Sequence, residues 1–192
     1  MSRVKSVTRT VRIDEDVDQQ LAEYAEKNGI SVNLLIERAL RKYAEWQVYA
    51  NKFGFVDTPH SLYSRIIGSL TEEQAKDLGQ WIGRTFGKDF ILFWYKKIDF
   101  DAAIKSFELL GSPYARFFEF IHENDGLTHT IILKHNRGLN SSIVWEEVVK
   151  YVFEELLGMR VDLEATSDQL VARIRMVEKQ QSDGASSKSR FF

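Results

Sequence analysis

The chain has 192 residues, of which 44% are hydrophobic and 12% aromatic, and a formal net charge of −2. That composition supplies a packed core and argues against general disorder. A molecule so close to neutral is no general trap for nucleic acid, so any nucleic-acid footprint has to be local. The absence of cysteine excludes disulfides, thiolate metal ligands and thiol catalysis. No apolar stretch approaches the roughly 18–20 residues of a transmembrane helix, and the first residues lack the apolar segment of a secretory signal. The expected location is therefore cytoplasmic, on the nucleoid, with no membrane partner.

The charge is unevenly placed. Residues 1–13 carry Arg3, Lys5, Arg9 and Arg12 and no acid, the kind of segregated basic arm that marks a nucleic-acid contact better than overall pI does. Residues 8–13 (Thr-Arg-Thr-Val-Arg-Ile) alternate as a short strand, with Val11 and Ile13 on one side and Thr8, Thr10 and Arg12 on the other. Asp14 is placed to cap a helix whose first turn holds Glu15 and Asp16, where the helix dipole favours acids. Its apolar face is Val17, Leu21, Tyr24 and Ala25, and Gly29 is a natural stop. Ser31 is placed to cap a second helix with the stripe Val32, Leu35, Ile36, Ala39, Leu40 and Tyr43. At residues 50–58 the pattern breaks, and a linker is expected there.

One strand and two helices of this size cannot bury their own apolar faces. Two copies can: the strands pair as an antiparallel ribbon, the four helices pack beneath, and Thr8, Thr10 and Arg12 of both copies face outward, where such a ribbon fits the DNA major groove. Residues Thr10-Val-Arg-Ile-Asp-Glu-Asp-Val17 and Asn28-Gly-Ile-Ser-Val-Asn-Leu-Leu-Ile36 resemble the ribbon-helix-helix (CopG-like) family of transcriptional regulators over about residues 5–48. The resemblance implies a homodimer on operator DNA, with Thr8, Thr10 and Arg12 reading bases. It also implies that the helix amides beginning at Ser31, Val32 and Asn33 hold a phosphate. Arg3, Lys5 and Arg9 are the further phosphate candidates. Arg9 departs from the family, which more often has an apolar residue at that inward position; its long stem can reach past the ribbon's edge.

The rest of the chain reads as an α+β domain over residues 59–177, followed by a polar tail at 178–192. Pro59 is expected at the first position of a helix containing Leu62, Ile66 and Ile67. Thr71-Glu-Glu-Gln74 reads as a capping box opening a helix with Ala75, Leu78, Ile82 and Phe86 inward. The run Phe90–Tyr95 fits buried strand or buried helix equally. Asp99 or Asp101 opens a helix closed by Gly111 and Pro113. Strands are expected at 115–123 and 128–135 around Asn124-Asp125-Gly126. A helix capped by Ser141 or Ser142 and ended by Gly158 follows, then strands at 160–165 and 169–176. The fold class is thus a mainly helical ribbon-helix-helix module, residues 1–50, joined to a helical lead-in and a β-β-α-β-β antiparallel sheet.

Function-bearing groups are fewer in this second domain. His122 and His129 oppose each other if the hairpin turn is Asp125-Gly126, close enough to share a metal; a three-residue loop slips the register and loses the pair. Structural or solvated imidazoles are the commoner reading. Trp81, Phe90, Phe93, Trp94, Phe117, Phe118 and Phe120 are core or the lining of a ligand pocket, core being the commoner. Asn136-Arg137-Gly138-Leu139 offers an anion site, though a solvated loop is the plainer expectation. The strand and helix order is similar to that of small-molecule sensor domains of the haem-nitric-oxide-associated type, but without their motifs, so no cofactor is assigned. There is no Gly-rich phosphate loop, no His-Glu-x-x-His and no nucleophile elbow, so an enzyme is not expected. The sequence thus points to a regulator whose second domain senses a small-molecule effector or builds a higher oligomer. The alternative is an antitoxin whose C-terminal part binds a partner protein.

Overall fold

The chain divides into two compact units, Met1–Phe55 and Val56–Phe192. The computed structural model describes residues 7–176; Arg3, Lys5 and the tail expected at 178–192 lie outside the described residues.

In the first unit, helix α1 (Glu15–Lys27) starts after Asp14, which holds the extended N-cap conformation without capping through its side chain. The acids Glu15, Asp16 and Asp18 occupy the first turn, where they complement the exposed amides. Gly29, at φ +64°, turns the chain, and α2 (Val32–Lys42) opens with the Leu34 amide donating to Ser31 Oγ at 3.2 Å. The helix runs past Lys42 and ends only inside the expected linker. A π-helical segment, Tyr43–Gln47, leads straight into α3 (Val48–Phe53), and only Gly54 at φ +91° stops it. Two things favour the continuation: no breaker precedes Gly54, and Trp46 and Ala50 are buried, with the Trp46 ring 5.1 Å from that of Phe55. Residues 7–14 carry no regular secondary structure. The strand expected at 8–13 has no ladder partner among the described residues, and a lone strand leaves its amides unpaired.

The second unit begins with α4 (His60–Gly68), which has Pro59 at its N-cap, one position earlier than expected. The capping box of α5 (Glu72–Ile82) is complete: the Gln74 amide donates to Thr71 Oγ1 at 3.2 Å, and the Thr71 amide to Gln74 Oε1 at 2.9 Å. A π-helical segment, Gly83–Gly87, leads into α6 (Lys88–Tyr95), so the aromatic run is a helix. The wider π turn takes Phe86 out of the phase set by Ala75, Leu78 and Ile82. It lies exposed, edge-on to the exposed Trp81, and both depart from the expected inward or core positions. Helix α7 (Phe100–Gly111) is capped by Asp99, whose Oδ1 accepts the Ala102 amide at 2.8 Å.

The sheet follows. Strands β1 (Glu119–Asn124), β2 (His129–Lys134), β3 (Arg160–Ala165) and β4 (Gln169–Arg175) pair antiparallel in the order β1-β2-β4-β3. β1 begins later than the expected residue 115 because Arg116 takes a positive φ of 57°, which breaks extended backbone. Between the hairpins run α8 (Leu139–Lys150) and a π-helical segment, Tyr151–Leu156. Gly138, not Ser141 or Ser142, is the N-cap; both serines lie one turn further on and are fully buried.

One face of the sheet supplies Ile131, Leu133, Leu170, Ala172 and Ile174 to a core completed by Phe107, Val149 and Phe153. α8 is covered nearly all round, as a central helix must be, because α5 packs on the side away from the sheet. Two glycines permit that approach. A Cβ on Gly79 would lie 2.5 Å from the Val144 carbonyl oxygen, and one on Gly83 would lie 2.8 Å from Tyr151 Cβ.

Candidate nucleic-acid interface

Thr8, Arg9, Thr10 and Arg12 are all exposed. Neither arginine forms an ion pair with a described residue, so both guanidiniums keep their donors for an outside acceptor. Ser31 carries out the capping expected of it, which directs its hydroxyl to the first turn of α2; Val32 is half-buried beside it and Asn33 exposed. These three residues open a helix of 11 residues whose first turn holds no acid, the electrostatic condition for receiving a phosphate.

Within this unit the apolar pattern is only partly covered. α2 has no buried residue at all, despite its well-formed apolar stripe. Val11 is 61% exposed and Leu40 63%. Of the α1 face, only Ala25 is buried, while Val17 and Tyr24 are exposed. The exposed apolar residues are Leu40 and Tyr43 of the α2 stripe and Val11 and Ile13 of the segment before α1, more than the scattered surface aliphatics that need no explanation.

The histidines are arranged differently from the sequence expectation. Asn124 pairs with His129 and His122 with Ile131, so the hairpin loop has four residues, Asp125–Thr128. His122 and His129 are therefore diagonal neighbours on one face, neither directly opposed nor separated. His122 Nε2 and His129 Nδ1 lie 3.0 Å apart with the rings stacked; one imidazole donates to the other, which must be neutral. Burial and the neighbouring His129 lower the His122 pKa. Among the described residues, no group of three or more His, Asp or Glu side chains is arranged to hold a metal ion.

His135 belongs to a buried network. The Arg137 amide donates to its Nδ1 at 3.1 Å, which places the ring proton on Nε2. That N–H faces Ser142 Oγ at 2.9 Å, and the serine hydroxyl donates to the Thr166 carbonyl at 2.5 Å. A serine nucleophile needs a histidine nitrogen free to accept its proton. Here the proton runs the other way, so the pair braces the start of α8 against the β3–β4 turn. Burial first, and Arg137 second, push the His135 pKa down to about 4.

The loop of Asn136 to Leu139 is not simply solvated, contrary to the plainer expectation. Asn136 at φ +49° and Gly138 at φ +86° bracket a tight turn that carries Arg137 inward to 9% exposure. Its Nη2 donates to the Arg116 carbonyl at 2.7 Å and to His60 Nε2, and its guanidinium lies over the Tyr63 ring. His60, Tyr63 and Arg116 were not linked to this loop by sequence reasoning. The one signal was the pair of residues tolerant of left-handed backbone on either side of an arginine.

Residues 10–46 match the family model described as ribbon-helix-helix protein, copG family. The matched span includes Thr10, Arg12 and Ser31 to Asn33, and Thr8 and Arg9 lie just before it. Such a match points to a DNA-binding regulator, and the C-terminal unit is not recognised. No curated protein matches the chain. Among the described residues, no helix is long and apolar enough to cross a membrane.

Proposed function

Proceeding from the ribbon-helix-helix match of residues 10–46, we propose that the protein is a sequence-specific, non-enzymatic DNA-binding regulator of transcription that works as a homodimer in the cytoplasm. The observation that carries this reading is the apolar stripe of α2, none of it fully buried, together with the exposed Val11 and Ile13. Two copies bury these surfaces together, and the pairing turns Thr8, Thr10 and Arg12 outward. Arg12 then donates two parallel hydrogen bonds to a guanine edge, while Thr8 and Thr10 offer a hydroxyl or a methyl to neighbouring bases. The amides at Ser31, Val32 and Asn33, with Arg9 and the basic arm, hold flanking phosphates and fix the register. The C-terminal unit serves as the regulatory domain. Its folded core argues against the antitoxin alternative, in which a short segment folds on a partner protein.

The test is a gel-shift titration of the full chain on genomic fragments it retains at moderate salt. Arg12→Ala is expected to lose about 1–3 kcal/mol of discrimination between retained and unrelated fragments. Undiminished discrimination would remove Arg12 from the reading surface.

A further inference from the structure

A buried arginine ordinarily has a carboxylate beside it, because an unpaired charge out of water is costly. Arg137 has none. The groups around its guanidinium are the Arg116 carbonyl, the neutral acceptor of His60 and the Tyr63 ring. Burial is the main influence on its pKa, which it lowers. Nε is shut off from solvent and hydrogen-bonds to no described residue.

Arg137 also lines an open pocket of about 420 Å³, and the other charged groups on that lining are Arg116, Lys134 and a single acid, Glu119. Glu119 pairs in register with Lys134 across the first two strands, which leaves the positive side in excess. The walls include Phe118 and Pro113. Arg116 and Asn136, two of the three described non-glycine residues with positive φ, lie on the same rim; such strained backbone tends to collect at ligand sites.

We infer that this pocket binds a small organic oxyanion, a carboxylate or phosphate ester with an apolar body, whose head neutralises Arg137 between Lys134 and Arg116 while the body rests on Phe118 and Pro113. Occupancy needs no DNA; its use as an effector site rests on the regulatory reading above.

The experiment is calorimetric titration of the full chain at constant ionic strength with benzoate, with inorganic phosphate and, as control, with chloride. Saturable one-to-one binding of benzoate or phosphate is expected, and whichever binds names the headgroup. Arg137→Lys is expected to weaken binding at least about tenfold, the size of one lost charge-assisted hydrogen bond. Lys134→Gln, an exposed change that leaves the core intact, is expected to weaken it about threefold, as a rim charge does. Heats no different from chloride, or binding unchanged in both variants, would overturn the site. Gel shifts with and without the bound anion then separate the two claims. A changed DNA affinity supports the effector role, whereas binding with unchanged DNA affinity keeps the site and rejects that role.

Discussion

The two units solve the burial problem in opposite ways. In the C-terminal unit, Ile131, Leu133, Leu170, Ala172 and Ile174 are completely buried within one chain, and α8 is enclosed by sheet and helices alike. In the N-terminal unit, a helix with a regular apolar stripe has no fully buried residue: Val32, Leu35 and Ile36 are half-buried, and Ala39, Leu40 and Tyr43 are exposed. The same physical rule therefore yields a finished core in one place and a half-built one in the other. The second unit draws its stability from its own packing, and the first, on the proposed function, draws it from association.

The largest way to break this contrast is a charge on the exposed end of that stripe. Leu40→Asp places a carboxylate in the proposed dimer interface twice, once per copy. A loss of about 3 kcal/mol or more of association energy is expected, read as dissociation in sedimentation velocity and loss of DNA retention. The thermal transition of the C-terminal unit should stay put. A variant that still forms dimers and holds DNA would mean the stripe is ordinary surface.

Gly79→Ala tests the other side. Its new methyl meets the backbone oxygen of Val144, which a rigid helix pair cannot yield cheaply. Chemical denaturation should show the C-terminal unit destabilised by about 1–3 kcal/mol with DNA discrimination retained; unchanged stability would show α5 and α8 to be loosely packed.

Acid offers a third probe. His135 has a folded pKa depressed to about 4, against an ordinary value near 6.5. Between those values the unfolded chain binds the proton and the folded one does not. Stability of the C-terminal unit is therefore full above about pH 6.5 and falls as pH drops toward 4, by at most about 1.4 kcal/mol per pH unit for this group. His122, also depressed, adds in the same direction. His135→Gln should flatten the slope, and an equal slope in that variant would place the effect elsewhere. The smallest expected change is at Ser31→Ala, which removes the cap of α2 at a cost of about 1 kcal/mol, detectable as a lower midpoint for the N-terminal unit.

What the sequence made legible follows from the range of the forces involved. Caps and stops act within one turn, so Ser31, Thr71 with Gln74, and the turn at Gly29 were readable directly. Hairpin register was not, because Asn124-Asp125-Gly126 suits several loop lengths; the four-residue loop was settled by which aliphatics face the core. Phe86 was misplaced because a π turn leaves no mark on a 3.6-residue pattern. Ser141 and Ser142 look like caps locally, yet Ser142 is drawn inside by His135 and Thr166, partners distant in sequence. The loop of Arg137 was legible as an anion candidate, but its burial escaped for the same reason, since nothing near it in the chain announces His60, Tyr63 or Arg116. The strand at 8–13 is a different case: its alternation is plain, but residues 7–14 form no strand in the single chain, and on the proposed function the ladder partner is another copy.

That pairing is the centre of the account, and a chain with no cysteine allows it to be measured directly. Single cysteines are placed one at a time at residues 8–13 and oxidised at micromolar concentration. Two antiparallel strands related by a two-fold axis bring a residue opposite its own copy at only one place. Covalent dimers should therefore peak sharply at one position, fall off on either side, and vanish when Leu40→Asp is added. Cross-linking at no position above that of a cysteine at the exposed hairpin residue Leu127 would contradict the ribbon, and the DNA-reading surface with it.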